Sequence, residues 1–230
     1  MIGIIAALKE EVEGIVLSMT ASTTFTKAGM TFVSGKINGK EVTAVQCGVG
    51  KVNAALCTQI LIDCYGVDCL INLGVAGALA SGLDVGDIVL SKDAMQYDMD
   101  ATPAGFALGE IPEMGVRLFE ADPDLLSKAK AAAAGLGIPA LAGRVLTADR
   151  VVASGELKAA LATELSGACV EMEGAAVAQT AWVNGIPFMI IRSISDHADE
   201  ALEATYDAHF EESVANASRL VLALVSATAS

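Results

Sequence analysis

The chain has 230 residues, 53% of them hydrophobic and only 4% aromatic, and 28 acidic against 14 basic side chains leave a formal charge of −14. A sequence this apolar, with no low-complexity tract, is not an intrinsically disordered one, and its length buries a sizeable core as one domain or at most two small ones. The acidic balance repels nucleic-acid phosphates and anionic membrane surfaces, so neither is expected as a partner.

The N-terminal MIGIIAALKEEVEG is a short apolar run followed by acids, with no basic leader and no small-residue cleavage site; residues 2–6 read as a first strand. No stretch reaches the roughly 18 uninterrupted apolar residues that a spanning helix needs. Five cysteines (Cys47, Cys57, Cys64, Cys69, Cys169) form no Cys-x-x-Cys and read as reduced thiols of a cytoplasmic protein. With only His197 and His209 beside them, no metal site is expected. Residues 25–46 read as antiparallel hairpins, with Asn38-Gly39 as a type I′ turn, and 42–46 is the last strand of that unit. A helix is predicted over 51–65, with Val52, Leu56, Ile60 and Tyr65 as its apolar stripe. Further strands fall at 69–73, 87–91, 144–147 and 187–194, and further helices at 123–135, 173–184 and 206–227. Several strands are apolar throughout, as strands covered on both faces are. The alternation predicts a three-layer α/β/α sandwich with a central mixed sheet, one domain over residues 1–230 without linker or repeat.

Open α/β sheets bind ligands beyond the carboxyl ends of their strands. At those positions stand Glu10 and Glu11 after the first strand, a Gly74-Val75-Ala76-Gly77 loop after CLINL, Glu171 and Glu173 after a short strand ending near Val170, and Ser195-Asp196 after PFMIIRSI, with Arg192 inside that strand. Singly, each has a plain structural explanation: first-turn acids at a helix N-terminus, or an N-cap. Gly48-Val49-Gly50-Lys51 also follows a strand and opens a helix. Asn53 stands where a dinucleotide fingerprint needs its third glycine, and Val52 where a P-loop needs Ser or Thr, so the loop reads as a tight strand-to-helix turn.

The ordered set IGIIAALKEEVEG (2–14), CGVGKVNAAL (47–56), INLGVAGAL (71–79), VGDIVLSKDA (85–94), CVEMEGAAVA (169–178) and PFMIIRSISDHAD (187–199) is spread along nearly all of the chain. It resembles the nucleoside phosphorylase/nucleosidase superfamily, specifically the bacterial 5′-methylthioadenosine/S-adenosylhomocysteine nucleosidases. The resemblance implies hydrolysis of the N-glycosidic bond through an oxocarbenium-like transition state, releasing adenine and a 5-thio-substituted ribose, as in nucleoside catabolism and methionine salvage. It implies that Asp196 delivers a proton toward adenine N7, that Glu11 activates the attacking water with Arg192 nearby, and that Glu173 grips the ribose hydroxyls. Glu171 is placed in the same substrate site. Met172 would pack on the sugar, Gly77 would let the backbone approach the ligand, Val152 would read the adenine edge through its backbone, and Ser195 would orient Asp196. No cofactor is implied. A homodimer is, with residues 100–115 completing the neighbouring pocket.

The chain departs from the family pattern at four pocket positions. Val75 stands where relatives carry serine, Val151 where a phenylalanine stacks on adenine, Ala104 where the lent loop carries an aromatic, and Tyr206 where a phenylalanine is usual. Only five arginines occur (Arg117, Arg144, Arg150, Arg192, Arg219), none in or before NLGVAG where a phosphate-holding arginine belongs, so water is expected as nucleophile instead of phosphate. Hydrolases of futalosine-type nucleosides share the framework and are the nearest alternative. A phosphorylase of the same fold and a non-catalytic nucleotide-binding module are the others.

Overall fold

Strand β1 (Ile2–Ala6) is buried at all five positions, because parallel strands flank it on both sides and helices cover both faces. The computed structural model describes residues 1–228. After β1 come α1 (Lys9–Leu17), β2 (Thr20–Lys27), β3 (Met30–Ile37), β4 (Lys40–Gln46), α2 (Lys51–Tyr65), β5 (Cys69–Ala78) and β6 (Ile88–Gln96). A single 3-10 turn at Thr102–Ala104 interrupts the irregular segment before β7 (Phe119–Glu120). The chain then runs through α3 (Pro123–Leu136), β8 (Ala140–Thr147), α4 (Gly155–Glu164), β9 (Gly167–Glu171), α5 (Gly174–Val183), β10 (Phe188–Asp196) and α6 (Leu202–Ala227). No helix among the described residues is long and apolar enough to cross a membrane.

The sheet is mixed, with strand order β10-β6-β8-β9-β5-β1-β4-β3-β2 and β7 attached to β6. Because β5 also pairs with β10, the strands β5, β10, β6, β8 and β9 close into a ring. From that ring β1, β4, β3 and β2 extend as an open wing. Helices α1, α3 and α6 pack together, and α2 packs on α5, which makes the α/β/α sandwich that the alternation predicts.

Local chemistry explains the boundaries. Asn38 (φ 49°) and Gly39 (φ 81°) form the left-handed turn between β3 and β4. The hairpin unit begins earlier than expected, since β2 starts at Thr20. The Asp122 carboxylate accepts the Asp124 and Leu125 amides at 3.0 and 2.9 Å and caps α3, whose first residue is Pro123. Two expectations need correction. In α2 the buried face is Ala54, Cys57, Thr58, Ile60 and Leu61, whereas Val52 and Leu56 are 78% and 45% exposed. Small Ala54 and Cys57 let the helix lie close to the sheet, which turns the larger Val52 and Leu56 outward. The second concerns Gly74–Gly77, which is no loop. These residues continue β5 and pair with Arg192 through Asp196 of β10, while Gly77 also faces Val170 of β9.

Ile71 lies in β5, between β1 and β10, and is fully buried. Ile71→Ala is expected to lower unfolding stability by about 2–5 kcal/mol in urea titration. Unchanged stability would show that β5 is not the centre of the core.

Candidate active site

The carboxyl ends of β1, β5, β9 and β10 open onto a cavity of about 290 Å³. Its walls include Glu11, Val75, Gly77, Val151, Val152, Glu171, Met172, Glu173, Ser195, Asp196 and Tyr206. The residues given catalytic or substrate-binding roles from sequence all lie on this wall except Arg192, which is buried behind it. Ala104 is exposed on the 3-10 turn and lines no part of this cavity.

Glu10 is exposed, but Glu11, in the first turn of α1, is 4% exposed and turned inward. Its Oε2 accepts the Ala7 and Leu8 amides at 3.0 and 2.9 Å, and its Oε1 accepts the Val75 amide at 3.0 Å. A Cβ on Gly74 would lie 2.9 Å from Oε1 of Glu11 and 3.3 Å from Nη1 of Arg192. Only glycine leaves room there for both side chains. Burial raises the Glu11 pKa, and the three amides and Arg192 pull against that rise.

Glu171 ends β9, and its oxygens are already engaged by the protein. Arg192 Nη2 and Nε (3.2 Å) form an ion pair with Oε2, which also accepts the amides of Glu173 (3.0 Å) and Gly174 (2.7 Å), while Thr147 Oγ1 donates to Oε1. Glu171 therefore caps α5 and holds Arg192, with little acceptor capacity left for a ligand. Arg192 is completed by the Asn72 side-chain oxygen at 2.6 Å and by the Asn72 and Ile191 carbonyls. Burial opposes its charge, but Glu171, Glu173 and Glu11 outweigh that and raise its pKa, so the guanidinium stays charged.

Glu173 sits at the start of α5 and accepts one hydrogen bond among the described residues, from the Gly50 amide at 2.7 Å. Burial first, and then the Glu171 charge, push its pKa up to about 7 against the pull of Arg192. Asp196 ends β10, 3% exposed; its Oδ2 accepts from Ser195 Oγ and its Oδ1 from the Ala198 amide, both at 2.8 Å. It is no helix N-cap, because α6 begins only at Leu202. A Cβ on Gly77 would stand 2.9 Å from Oδ1 of Asp196, so this glycine clears space for the acid itself. Tyr206 is half-buried and packs on Phe210 at 5.0 Å; burial, then Glu11 and Asp196, push its pKa up to about 12.

Asn72 and Thr147 were not singled out from sequence. The available signal was a polar residue inside an apolar strand, INL, and a hydroxyl at the end of RVLT. Chemically, the cavity offers an apolar box with three carboxylate-bearing corners, Glu11, Glu173 and Asp196.

The family model described as the phosphorylase superfamily matches residues 1–228. The chain belongs to the phosphorylase superfamily. Among superfamily relatives, it is 36% identical over 226 residues to the 5′-methylthioadenosine/S-adenosylhomocysteine nucleosidase of Pseudoalteromonas translucida, covering 97% of this chain and 96% of the relative. The nucleosidase of Neisseria meningitidis, solved in complex with methylthio-immucillin-A, superposes with a TM-score of 0.96 at 34% identity and 99% coverage of both chains. The futalosine hydrolase of Helicobacter pylori superposes with a TM-score of 0.94 at 32% identity, covering 97% of this chain and 96% of that one.

The raised Glu173 value has a consequence for folding in this superfamily member. Between the ordinary 4.5 and about 7 the folded chain keeps a proton that the unfolded chain has released. Stability therefore falls as pH rises through that window and levels off above it. Glu11, also raised, acts in the same direction. Glu173→Gln is expected to remove on the order of 1–3 kcal/mol of the stability loss between pH 5 and pH 8, read from urea midpoints. An identical pH slope in the variant would refute the assignment.

Proposed function

We propose that the chain hydrolyses the N-glycosidic bond of 5′-methylthioadenosine and S-adenosylhomocysteine, releasing adenine and the 5-thio-substituted ribose. The observation that carries this reading is the meeting of Glu11, Glu173 and Asp196 on one largely apolar cavity. Cleaving an N-glycosidic bond needs a protonated leaving base, an activated water and a host for a cationic sugar.

Asp196 supplies the proton to adenine N7, steered by Ser195. Glu11 takes the proton of the attacking water, and the burial that raises its pKa makes it the stronger base. Glu173 grips the ribose 2′- and 3′-hydroxyls, and in its ionised form it also favours the developing positive charge. Met172 packs on the sugar, and the Val152 backbone faces the base edge. Arg192 acts from behind the wall, through Glu171 and the local charge balance.

Water is the nucleophile. A phosphate dianion would need cations in the cavity, yet among the described residues Arg150, at its mouth, is the one basic residue on the wall, and Arg192 is taken up by Glu171 and Asn72. A second reading, a futalosine-type hydrolase, draws on the Helicobacter pylori neighbour; it would use the same acids on a different 5′-substituent.

We further propose that the whole chain acts as one domain, in the cytoplasm, and pairs as a homodimer. Val49, Val52, Leu56, Trp182 and Val183 are each 45–78% exposed at the start of α2, along it and at the end of α5. That apolar face suits a second copy, whose segment 100–115 would reach the cavity mouth beside Val49. All five cysteines are free thiols, which suits a reducing compartment.

Purified protein given 5′-methylthioadenosine is expected to release adenine at the same rate with and without phosphate. Absolute phosphate dependence would transfer the chain to the phosphorylases, and turnover of a futalosine analogue alone would favour the second reading. Asp196→Asn is expected to lower kcat by roughly 100-fold or more, the scale of a lost general acid. A near-normal rate would remove Asp196 from that role.

A further inference from the structure

Three residues outside the cavity join the loops that build it. The Lys51 ammonium lies 2.6 Å from Asp98 Oδ1, the Lys51 amide donates to Asp149 Oδ1 at 2.8 Å, and the Asp149 amide donates to Asp98 Oδ2 at 3.2 Å. The three contacts form a closed cycle. Each member belongs to a different loop at the carboxyl edge of the sheet: Lys51 opens α2 after β4, Asp98 follows β6 and Asp149 follows β8.

None of the three lines the cavity, but their neighbours do. Val49 precedes Lys51 by two residues, and Arg150, Val151 and Val152 follow Asp149 directly. Between Val49 and Lys51 stands Gly50, whose amide makes the one hydrogen bond accepted by Glu173 among the described residues. Helix α2 has no side-chain cap of its own; Asp149 supplies that acceptor from another loop, where the helix N-terminus favours a negative charge. The Lys51 and Asp98 side chains are 18% and 31% exposed, so their ion pair is partly shielded from water. Shifting any member would move the Val151–Val152 wall and the Gly50 amide together.

We infer that Lys51, Asp98 and Asp149 are positioning residues that hold the base-facing wall and the sugar-gripping Glu173 in register with one another. The inference rests on the nucleoside reading above for what occupies the cavity, but the clasp itself can be tested without turnover. Lys51→Met removes the cation at similar length, and Asp98→Asn removes one charge from the same cycle. Each is expected to raise KM for 5′-methylthioadenosine by roughly 10- to 100-fold with a smaller change in kcat, the scale on which remote misplacement acts. Combined, they should cost little more than either alone, because one cycle is broken once. Lys51→Arg should recover most of the loss.

Hydrogen exchange on the full-length chain gives the independent readout. Amides 149–152 and 48–51 should exchange faster in Lys51→Met, while β1, β5 and β10 and the melting temperature stay as in the wild type. Wild-type protein that releases no adenine would overturn the nucleoside reading and leave the exchange result to decide the clasp. Where the wild type turns over, a KM unchanged in Lys51→Met and Asp98→Asn, additive losses, or unchanged exchange at 149–152 would each overturn the clasp. Faster exchange across the whole sheet would do the same, because it marks a general loss of structure.

Discussion

The Arg192 guanidinium is 1% exposed, and Glu11, Glu171 and Glu173 are buried around it at 4%, 7% and 6%. One positive charge is shared among three negative ones in a region with little water to help. Such a cluster persists only where every member finds partners, because an unpaired buried charge is costly. Most of the contacts at the carboxyl edge follow from that requirement. Asn72 closes the far side of the guanidinium, Thr147 and the first amides of α5 absorb the oxygens of Glu171, and the Ala7, Leu8 and Val75 amides do the same for Glu11. Glu173 is left with the fewest donors, and burial together with the Glu171 charge pushes its pKa up to about 7. Fixed acceptors and one adaptable acid are what a site needs if it must grip hydroxyls and face a transient cation.

The same arrangement separates tasks between carboxylates of identical chemistry. All four line the cavity, but the oxygens of Glu171 are taken up by Arg192, Thr147 and the first amides of α5, which leaves Glu11, Glu173 and Asp196 as the acids that define its corners. Position on the fold makes that division: the residue at the end of β9 meets Arg192 and the start of α5, and the residue two further on turns toward the glycine turn of α2. Part of the acidic surplus of the chain thus forms three corners of a small apolar box.

Much of this was legible in the sequence. The buried first strand, the span of α2 and the convergence of Glu11, Glu173 and Asp196 at one edge of the sheet follow from apolar runs and from the rule that ligands sit beyond strand ends. What escaped depended on tertiary contact. Periodicity points to the wrong face of α2 because Ala54 and Cys57 carry a weaker apolar signal than Val52 and Leu56, yet fit closer to the sheet. Gly74–Gly77 has the look of a loop in sequence, since glycines weaken strands; here β10 and β9 pair with it, and the missing side chains make room for Glu11, Arg192 and Asp196. In linear order Glu171 and Glu173 look alike, since nothing there announces that Thr147 and Arg192 will meet Glu171. Helix α4 passed unnoticed because Leu161 is its one buried residue.

The ring of β5, β10, β6, β8 and β9 also settles where the molecule is vulnerable to sticking to itself. Strands that close on one another leave few backbone groups for a stranger to pair with, so the exposed rim is carried chiefly by β2 at the end of the wing. That strand, TASTTFTK, is exposed at all eight positions. Its hydroxyls and terminal lysine are of the kind that discourage edge-to-edge association, and Phe25, 60% exposed, is the exception. Edge-to-edge strand pairing is thereby left chiefly to one polar ribbon, at the far end of the sheet from the ring.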